Sequence, residues 1–190
     1  MPVAVRAMEM VESPTMTRPR RTDRLLLRPP TEADAQRMLE IFGDPRTNVH
    51  NPLGPYPDID TARSLLAARI AHWQQHGFGQ WAIAVRDAPE CLIGFGGVAY
   101  RQYLDEERLN LGYRFAAESW GRGYATELGE AALKLAFDDL AKPEVFALVR
   151  PDNLASARVL EKLGMQRSGD LDDVPGQARS LVYRIRRAGG

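Results

Sequence analysis

Several features that would assign a protein to a particular class are scarce in this chain of 190 residues. Its one cysteine, Cys91, excludes a disulfide within the chain and is typical of a reducing compartment. No stretch approaches the ~18 consecutive apolar residues that a membrane-spanning helix needs, and residues 1–21 lack the apolar core of a signal peptide. The sequence therefore predicts a cytoplasmic protein with no membrane partner. Because Cys91 lies in an apolar run, we expect its thiol to be buried.

Net charge is missing as well. The 25 Lys+Arg residues are balanced by 25 Asp+Glu residues, so the overall charge favours neither a nucleic acid nor an acidic membrane as partner. Only Lys134, Lys142 and Lys162 are lysines, and the other 22 basic residues are arginines. A preference for binding phosphate groups would explain this bias. A GC-rich genome, which also fits the abundant Ala, Gly and Pro, is the simpler explanation.

The length and the apolar content of 44% suit a single domain with its own core. Residues 1–21 show no periodicity, so we expect a poorly packed N-terminal extension followed by one domain over residues 22–187. Predicted strands lie at residues 23–28, 80–86, 91–100, 109–115, 145–149, 165–168 and 181–186. Predicted helices lie at residues 31–43, 60–77, 124–142 and 156–163. This order predicts an α/β (α+β) domain, with a mixed, mostly antiparallel sheet of about seven strands flanked by about four helices.

The turn from Trp120 to Gly123 leads directly into a helix and carries two glycines. Such a turn exposes backbone N–H groups beside the positive end of the helix dipole, which makes it a ready anion site, and Arg122 adds a positive charge. No Gly-Lys-Ser/Thr follows, so this turn is not a Walker phosphate-binding loop. Taken alone, the turn has a second interpretation as an ordinary glycine-bearing connection between a strand and a helix.

The strand and turn together resemble a known family. Residues 111–115 (LGYRF) and 120–127 (WGRGYATE) are similar to the acetyl-CoA-binding segment of the GNAT (N-acetyltransferase) superfamily. Of the superfamily pattern Gln/Arg-x-x-Gly-x-Gly/Ala, Gly123 and Ala125 fill the last two positions. Trp120 replaces the Gln/Arg, which is typical of the branch that contains the ribosomal-protein N-terminal alanine acetyltransferases.

Two further segments, residues 153–165 and residues 22–28, also resemble that branch, so the resemblance covers about residues 22–187. It implies one GNAT-like domain whose sheet splays between the strands near 109–115 and 145–149, where acetyl-CoA pairs with the unpaired backbone groups. It also implies an oxyanion-stabilising backbone N–H near Tyr113. The cofactor-binding residues that it implies are Tyr113, Phe115, Gly121, Arg122, Gly123, Tyr124, Ala125, Thr126, Asn153 and Ser156.

Asn153 and Ser156 are three residues apart and share a helix face. As an isolated pattern they are explained by Asn153 as the N-cap and Ser156 as a first-turn residue. The resemblance implies catalytic roles instead, with Asn153 at the pantetheine end of the cofactor and Ser156 near the sulfur. Many superfamily members have a tyrosine acid where this chain has Leu160. Ser156 is therefore the candidate to hydrogen-bond or protonate the departing thiolate.

The general base is less defined. Relatives often have a glutamate where this chain has Asn110, so the resemblance leaves Glu107, Asp172 and Asp173 as candidates, and we take Glu107 first. The acidic run from Asp105 to Glu107 is also explained as a solvated bend, or as a charge that attracts a cationic amine.

Two other patterns are set aside. Residues 94–99 (GFGGVA) match the dinucleotide fingerprint, but they lie within a predicted strand and no helix follows. His72 and His76 are four residues apart on a predicted helix, yet no third ligand is evident, so we expect no metal. The loop over residues 45–60 overhangs the acceptor site in the fold that the chain resembles, although it is equally explained as a surface connection.

The resemblance thus implies an acetyl-CoA-dependent N-acetyltransferase that moves the acetyl group directly to a primary amine. The amine is a protein N-terminus or a small molecule, and a homodimer is left open. An acyl-CoA-binding sensor or regulatory module on the same fold is the alternative, because Asn110 and Leu160 depart from the family pattern.

Overall fold

Residues 18–187 are described by a computed structural model, and they form one mixed sheet of eight strands in the order β1-β2-β3-β4-β5-β6-β8-β7. The strands are β1 (Arg20–Arg21), β2 (Leu25–Arg28), β3 (Trp81–Val85), β4 (Ala88–Tyr103), β5 (Glu106–Phe115), β6 (Glu144–Val149), β7 (Gln166–Leu171) and β8 (Ser180–Arg186). Neighbouring strands are antiparallel except β5 and β6, which are parallel. The predicted fold class is confirmed.

Four α-helices flank this sheet within the described residues. They are α1 (Ala35–Gly43), α2 (Ile59–His76), α3 (Tyr124–Lys134) and α4 (Leu154–Lys162). A capping box precedes α1, because the backbone N–H of Thr31 donates to Asp34 Oδ2 at 2.7 Å. The Asp58 side chain caps the start of α2 and Gly77, at a φ of 74°, ends it.

The glycines of β4 allow α3 and β5 to pack closely against this strand. A Cβ at Gly96 would lie 2.5 Å from Tyr113 Cβ and 2.8 Å from Leu128 Cδ2. Leu128 of α3 is fully buried there, and burial of such a side chain stabilises the fold by about 1.5–3 kcal/mol. These glycines therefore serve close packing within a strand, which is not the strand–turn–helix context of a dinucleotide fingerprint.

The structure corrects several details of the sequence prediction. The sheet has one strand more than about seven, because Arg20–Arg21 pair with β2 in a strand too short to leave a pattern. Glu106 and Glu107 belong to β5 rather than to a bend, since the turn between β4 and β5 is confined to Leu104 and Asp105. Cys91 is exposed, because the alternation of β4 directs its neighbour Leu92 into the core instead.

Most of the predicted N-terminal extension, residues 1–17, lies outside the described residues. Its last part is included in the sheet as β1. The domain boundaries at 22 and 187 stay a prediction.

Candidate functional site

The parallel strands β5 and β6 pair at a single position, where Asn110 lies opposite Phe146. Beyond it the strands separate, as predicted. β4 remains paired with β5 as far as Phe115, and β8 remains paired with β6 as far as Val149. The two edges that face each other are therefore left without a strand partner, and a cleft of about 1160 Å³ opens between them. Backbone N–H and C=O groups on such edges can pair with a ligand that contains amide groups.

All ten residues predicted to bind the cofactor line this one cleft. They are Tyr113, Phe115, Gly121, Arg122, Gly123, Tyr124, Ala125, Thr126, Asn153 and Ser156. These residues come from β5, from the turn from Trp120 to Gly123 (the glycine turn) with the start of α3, and from the start of α4.

The glycine turn forms the start of α3 in a conformation that only glycine adopts readily. Gly121 has a φ of 74° and Gly123 a φ of 78°, and Gly123 is the N-cap of α3 with no side-chain cap. No atom lies within 4 Å of a Cβ built on Gly121, so the turn is open on that side. The first N–H groups of α3 are thus available to an anion, and the exposed Arg122 lies beside them.

A clamp that the sequence interpretation did not identify fixes this turn to the start of the sheet. Glu127, in the first turn of α3, accepts hydrogen bonds from Thr22 Oγ1 at 2.6 Å and from Arg24 Nε at 2.7 Å. Arg24 Nη1 donates in turn to the Arg122 carbonyl at 2.8 Å. Burial works against the charge of Glu127, but the hydrogen bonds from Thr22 and Arg24 outweigh it and hold the pKa of Glu127 below its usual value.

The start of α4 combines a structural and a chemical role. Asn153 Oδ1 accepts from the backbone N–H of Ser156 at 3.1 Å, so the N-cap interpretation of this pair is correct. Both side chains also line the cleft. The hydroxyl of Tyr113 is buried beside Ser156 and has no hydrogen bond of good geometry to any described residue. Burial raises the pKa of Tyr113 to about 12, against a smaller opposing effect of Ser156, so the phenol keeps its proton near neutral pH.

The candidate bases are not equally placed. Glu107 and Asp172 are exposed, and neither is among the described residues that line the cleft. Asp173 does line it, but Arg150 Nη1 at 3.4 Å and Arg101 Nη2 at 3.6 Å already hold its carboxylate. Asn110 is buried and its Oδ1 accepts from Tyr103 Oη at 2.6 Å, so it is fixed rather than reactive.

The loop between α1 and α2 lines part of the cleft and reaches the turn before α4. After a short 3-10 helix at Pro45–Asn48, His50 Nδ1 lies 3.0 Å from Asp152 Oδ2 in the turn before α4. This contact joins the loop between α1 and α2 to the turn before α4.

The charge of the cleft differs from the acidic acceptor site that the sequence suggested. The lining is predominantly cationic, with Asp173 as its one carboxylate among the described residues. Its cationic side chains are those of Arg46, Arg69, Arg101, Arg114, Arg122, Arg150 and Lys162. The run from Asp105 to Glu107 does not belong to it.

The two histidines of α2 do not form a metal site. His72 Nδ1 lies 2.9 Å from the Phe78 carbonyl, and His72 Nε2 accepts from the Tyr100 N–H at 3.0 Å, so both ring nitrogens are engaged. In residues 18–187 no group of three or more His, Cys, Asp or Glu side chains could hold a metal ion, and no helix is long and apolar enough to cross a membrane.

Known proteins share this sequence and this fold. Residues 24–166 match the family model of the acetyltransferase (GNAT) domain. The uncharacterized N-acetyltransferase YoaA of Bacillus subtilis (strain 168) is 32% identical over 152 residues, which cover 79% of this chain and 84% of that protein. A solved acetyltransferase from Agrobacterium tumefaciens str. C58 is 30% identical with a TM-score of 0.75, over 90% of this chain and 95% of that one.

The same fold occurs in spermidine N-acetyltransferase from Vibrio cholerae, solved in complex with CoA and spermine. Its TM-score is 0.70 at 18% identity, over 87% of this chain and 96% of that one. The match to the family model covers most of the chain, and the YoaA relative is aligned over a similar length. This chain therefore belongs to the GNAT acetyltransferase family and is an acyltransferase.

Proposed function

We propose that this protein is an acetyl-CoA-dependent N-acetyltransferase that transfers the acetyl group directly to a primary amine. One observation carries the proposal: a single cleft holds two unpaired strand edges and, beside them, an uncapped helix start with two left-handed glycines. The structural neighbour from Vibrio cholerae, solved with CoA, supports a CoA-type ligand for this fold.

The residues present fit acetyl-CoA. The amide groups of its pantetheine arm would pair with the free edges of β5 and β6, which satisfies buried polar groups on both partners. Its pyrophosphate would lie on the N–H groups of residues 121–126, with Arg122 as a nearby positive charge. Asn153 would hold the pantetheine end through the part of its amide that does not cap α4.

At the thioester, the amine nitrogen forms a bond to the carbonyl carbon, and the C–S bond then breaks with its electron pair going to sulfur. A backbone N–H near Tyr113 stabilises the oxyanion that develops between these steps. Ser156 and the protonated Tyr113 hydroxyl lie side by side at the cleft, so either can hydrogen-bond the departing thiolate or give it a proton. A thiol with an ordinary pKa of ~8.5 needs only modest help of this kind.

The proton of the acceptor ammonium must also leave. Because the one described carboxylate in the cleft, that of Asp173, is held by two arginines, we propose that the amine enters as the free base or releases its proton to water. General-base catalysis by Glu107 stays a prediction from the sequence. The cytoplasmic location and the homodimer stay predictions as well.

A thiol-release assay with acetyl-CoA and a panel of amines and peptide N-termini tests the function. Gly121→Asp places a carboxylate where the pyrophosphate would lie. A unit charge about 5 Å from each of two phosphate charges costs about 1–2 kcal/mol even at the dielectric constant of water. We therefore expect the KM for acetyl-CoA to rise about ten-fold or more.

Gly176→Asp is the matched control. Gly176 has a φ of 75° against 74° for Gly121, and neither residue has an atom within 4 Å of a built Cβ, but Gly176 does not line the cleft. Both variants carry the same backbone strain and the same charge. Equal effects on the KM for acetyl-CoA would contradict the cofactor placement. Tight acetyl-CoA binding without acceptor-dependent thiol release across the panel would favour the sensor.

A further inference from the structure

Two arginines line the cleft without a carboxylate to neutralise them. Arg114 lies on β5, and its Nη1 donates to Asn48 Oδ1 at 2.7 Å. Arg69 lies on α2, and its Nε donates to Gln80 Oε1 at 3.0 Å. Among the described residues, no Asp or Glu oxygen lies within 4.0 Å of either guanidinium group, whereas the neighbouring Arg46 is paired with an aspartate.

The two guanidinium groups contact the same aromatic ring. The guanidinium carbon lies 5.1 Å from the Phe42 ring centroid for Arg69 and 4.6 Å for Arg114. Burial lowers the pKa of Arg114; Tyr56 opposes this, and the charge of Arg69 adds to it. Two half-buried like charges thus act on each other around one ring, and cation–π contact with Phe42 offsets only part of their repulsion. An anion bound by both groups would offset their positive charge and accept from those N–H donors that have no partner among the described residues.

The orientation of Arg114 is fixed before any ligand arrives. Asn48 is buried, and its Nδ2 donates to the Phe42 carbonyl at 2.7 Å and to the Asp44 carbonyl at 2.8 Å. Its Oδ1 therefore faces Arg114, and it also accepts from Asn51 Nδ2 at 2.8 Å. This network holds the guanidinium fork in place, which lowers the entropic cost of binding an anion.

The position of the pair in the cleft separates it from the glycine turn. Side chains alternate along β5, so Asn110, Gly112 and Arg114 share the face towards α1 and α2, whereas Tyr113 lies on the opposite face with Ser156. A Cβ at Gly112 would lie 3.3 Å from both Asn110 Nδ2 and Gln80 Nε2, so glycine lets these two side chains pack closely against the strand. Gly112 and Arg114 are two residues apart on the strand, so their backbones are about 6.6 Å apart.

We propose that Arg69 and Arg114 form an anion-binding subsite for the acceptor. The substrate is then a small primary amine that carries a carboxylate or phosphoryl group a few bonds from its nitrogen. A polyamine, such as the spermine in the Vibrio cholerae neighbour, would bring a second positive charge to two arginines. This assignment rests on the proposed N-acetyltransferase function and specifies its acceptor class.

Matched pairs of amines test the subsite in the unaltered enzyme. The pairs are γ-aminobutyrate against n-butylamine, glycine against glycinamide, and phosphoethanolamine against ethanolamine, with putrescine as the dication. We expect kcat/KM to be at least about ten-fold higher for the anionic member of at least one pair, the ratio typical of one hydrogen bond between charged partners. Whether a carboxylate pair or the phosphoryl pair shows the larger ratio of kcat/KM values indicates which anion the subsite prefers. Equal or faster reaction of the neutral members and putrescine would overturn the proposal.

Substitutions of single arginines test whether the preference for anionic acceptors comes from this pair. Arg69→Gln and Arg114→Gln should raise the KM for the anionic acceptors about ten-fold and leave the neutral acceptors and the KM for acetyl-CoA unchanged. Arg63→Gln, an exposed arginine earlier on α2, is the control and should behave as the unaltered enzyme. If Arg114→Gln does not fold, Arg114→Lys keeps the charge but not the fork and should show a smaller loss. A rise confined to the KM for acetyl-CoA would show that the pair binds the cofactor instead.

A binding measurement keeps this test independent of turnover. Calorimetric titration of the CoA-saturated protein with N-acetyl-γ-aminobutyrate and with N-butylacetamide, and with O-phospho-N-acetylethanolamine and N-acetylethanolamine, compares products with and without the anion. Anion-dependent affinity that Arg114→Gln removes would uphold the subsite even if no amine were acetylated, in which case only the proposed transferase function would fail. Equal affinities within both pairs would overturn the subsite itself.

Discussion

Glu127→Gln tests the clamp that joins the start of the sheet to the glycine turn. The carboxylate accepts from Thr22 Oγ1 and from the backbone N–H of Arg24 on one oxygen, at 2.6 and 2.8 Å. On the other oxygen it accepts from Arg24 Nε and Nη2, both at 2.7 Å. A glutamine replaces one of these oxygens by an NH₂ donor. In either orientation of the amide, its NH₂ group then faces donor groups of Thr22 or Arg24 that the carboxylate oxygen accepted from.

The size of the effect follows from exposure. Hydrogen bonds to a charged partner contribute about 1.5–3 kcal/mol each when they are shielded from water. The Glu127 side chain is 13% exposed but that of Arg24 is 50% exposed, so water recovers much of the loss. We therefore expect Glu127→Gln to reduce the free energy of unfolding by about 2 kcal/mol, which for a domain of this size lowers Tm by about 4–8 °C.

The clamp also predicts a kinetic signature. Arg24 Nη1 holds the Arg122 carbonyl at 2.8 Å, so a guanidinium group that loses its carboxylate partner no longer fixes the turn. The KM for acetyl-CoA should then rise several-fold while kcat changes little, because no group near the thioester is altered. The thermal shift produced by saturating acetyl-CoA should be smaller in the variant for the same reason.

The pH dependence has a defined sign. The pKa of Glu127 is lower in the folded protein than its ordinary value of 4.5, so the carboxylate contributes stability above that value. This contribution is lost as the pH falls through the lowered pKa. The difference in Tm between the unaltered protein and Glu127→Gln should therefore be full at pH 7 and should shrink below about pH 4.

Differential scanning calorimetry at pH 7 and at the lowest pH where folding is reversible measures both quantities. Glu130→Gln makes the same chemical change at an exposed position of the same helix and should alter the free energy of unfolding by less than about 0.5 kcal/mol. Equal Tm values for the two variants, or a difference that stays constant into acid, would refute the clamp. So would a loss of kcat with an unchanged KM for acetyl-CoA.

Two further predictions concern the chemistry. Tyr113→Phe should lower kcat about ten-fold without changing the KM for acetyl-CoA, because it removes a buried proton donor beside Ser156. Steady-state kinetics that show a change in KM alone would assign Tyr113 to binding instead. The kcat/KM for the acceptor should rise with pH along the titration of the acceptor amine, so that an amine of lower pKa moves the profile to lower pH by the same amount. A profile that instead stays fixed between amines and moves in Glu107→Gln would identify Glu107 as the general base.

The geometry of the glycine turn and of the adjoining strand edge could be predicted because it is encoded locally. Residues 111–126 supply in one continuous segment the strand edge, the glycine turn and the helix start, and the conformation of the turn is determined by Gly121 and Gly123 themselves. Local chemistry of this kind does not depend on where distant segments pack. The same is true of Asn153, whose N-cap bond to Ser156 is present while its side chain also lines the cleft.

Predictions that depended on the face of a strand were less secure. A shift of one residue exchanges the two faces of a strand, and the ends of β4 and β5 were placed too far inwards from the sequence. The sequence predicts that the run from Asp105 to Glu107 ends in a solvated bend, whereas Glu107 lies on an exposed part of β5 opposite Gln102. Cys91, expected in the core because it lies in an apolar run, lies on the exposed face of β4, since the alternation directs Leu92 inwards instead.

The acceptor half had no local signal at all. Arg69 and Arg114 lie on different elements and both contact Phe42. Arg114 is also held by Asn48, which is 66 positions away in the chain. In the sequence these two arginines are indistinguishable from the other 20, and a biased genome explains their number as well as any function does. The surroundings of each arginine determine whether its charge is free to bind a ligand. Arg46 is neutralised by Asp44 at 2.6 Å. A half-buried arginine that lines the cleft without a carboxylate partner is a binding group. A net charge of zero is therefore compatible with a strongly cationic cleft, and in this fold the sign of the acceptor is set by which arginines the packing leaves unpaired.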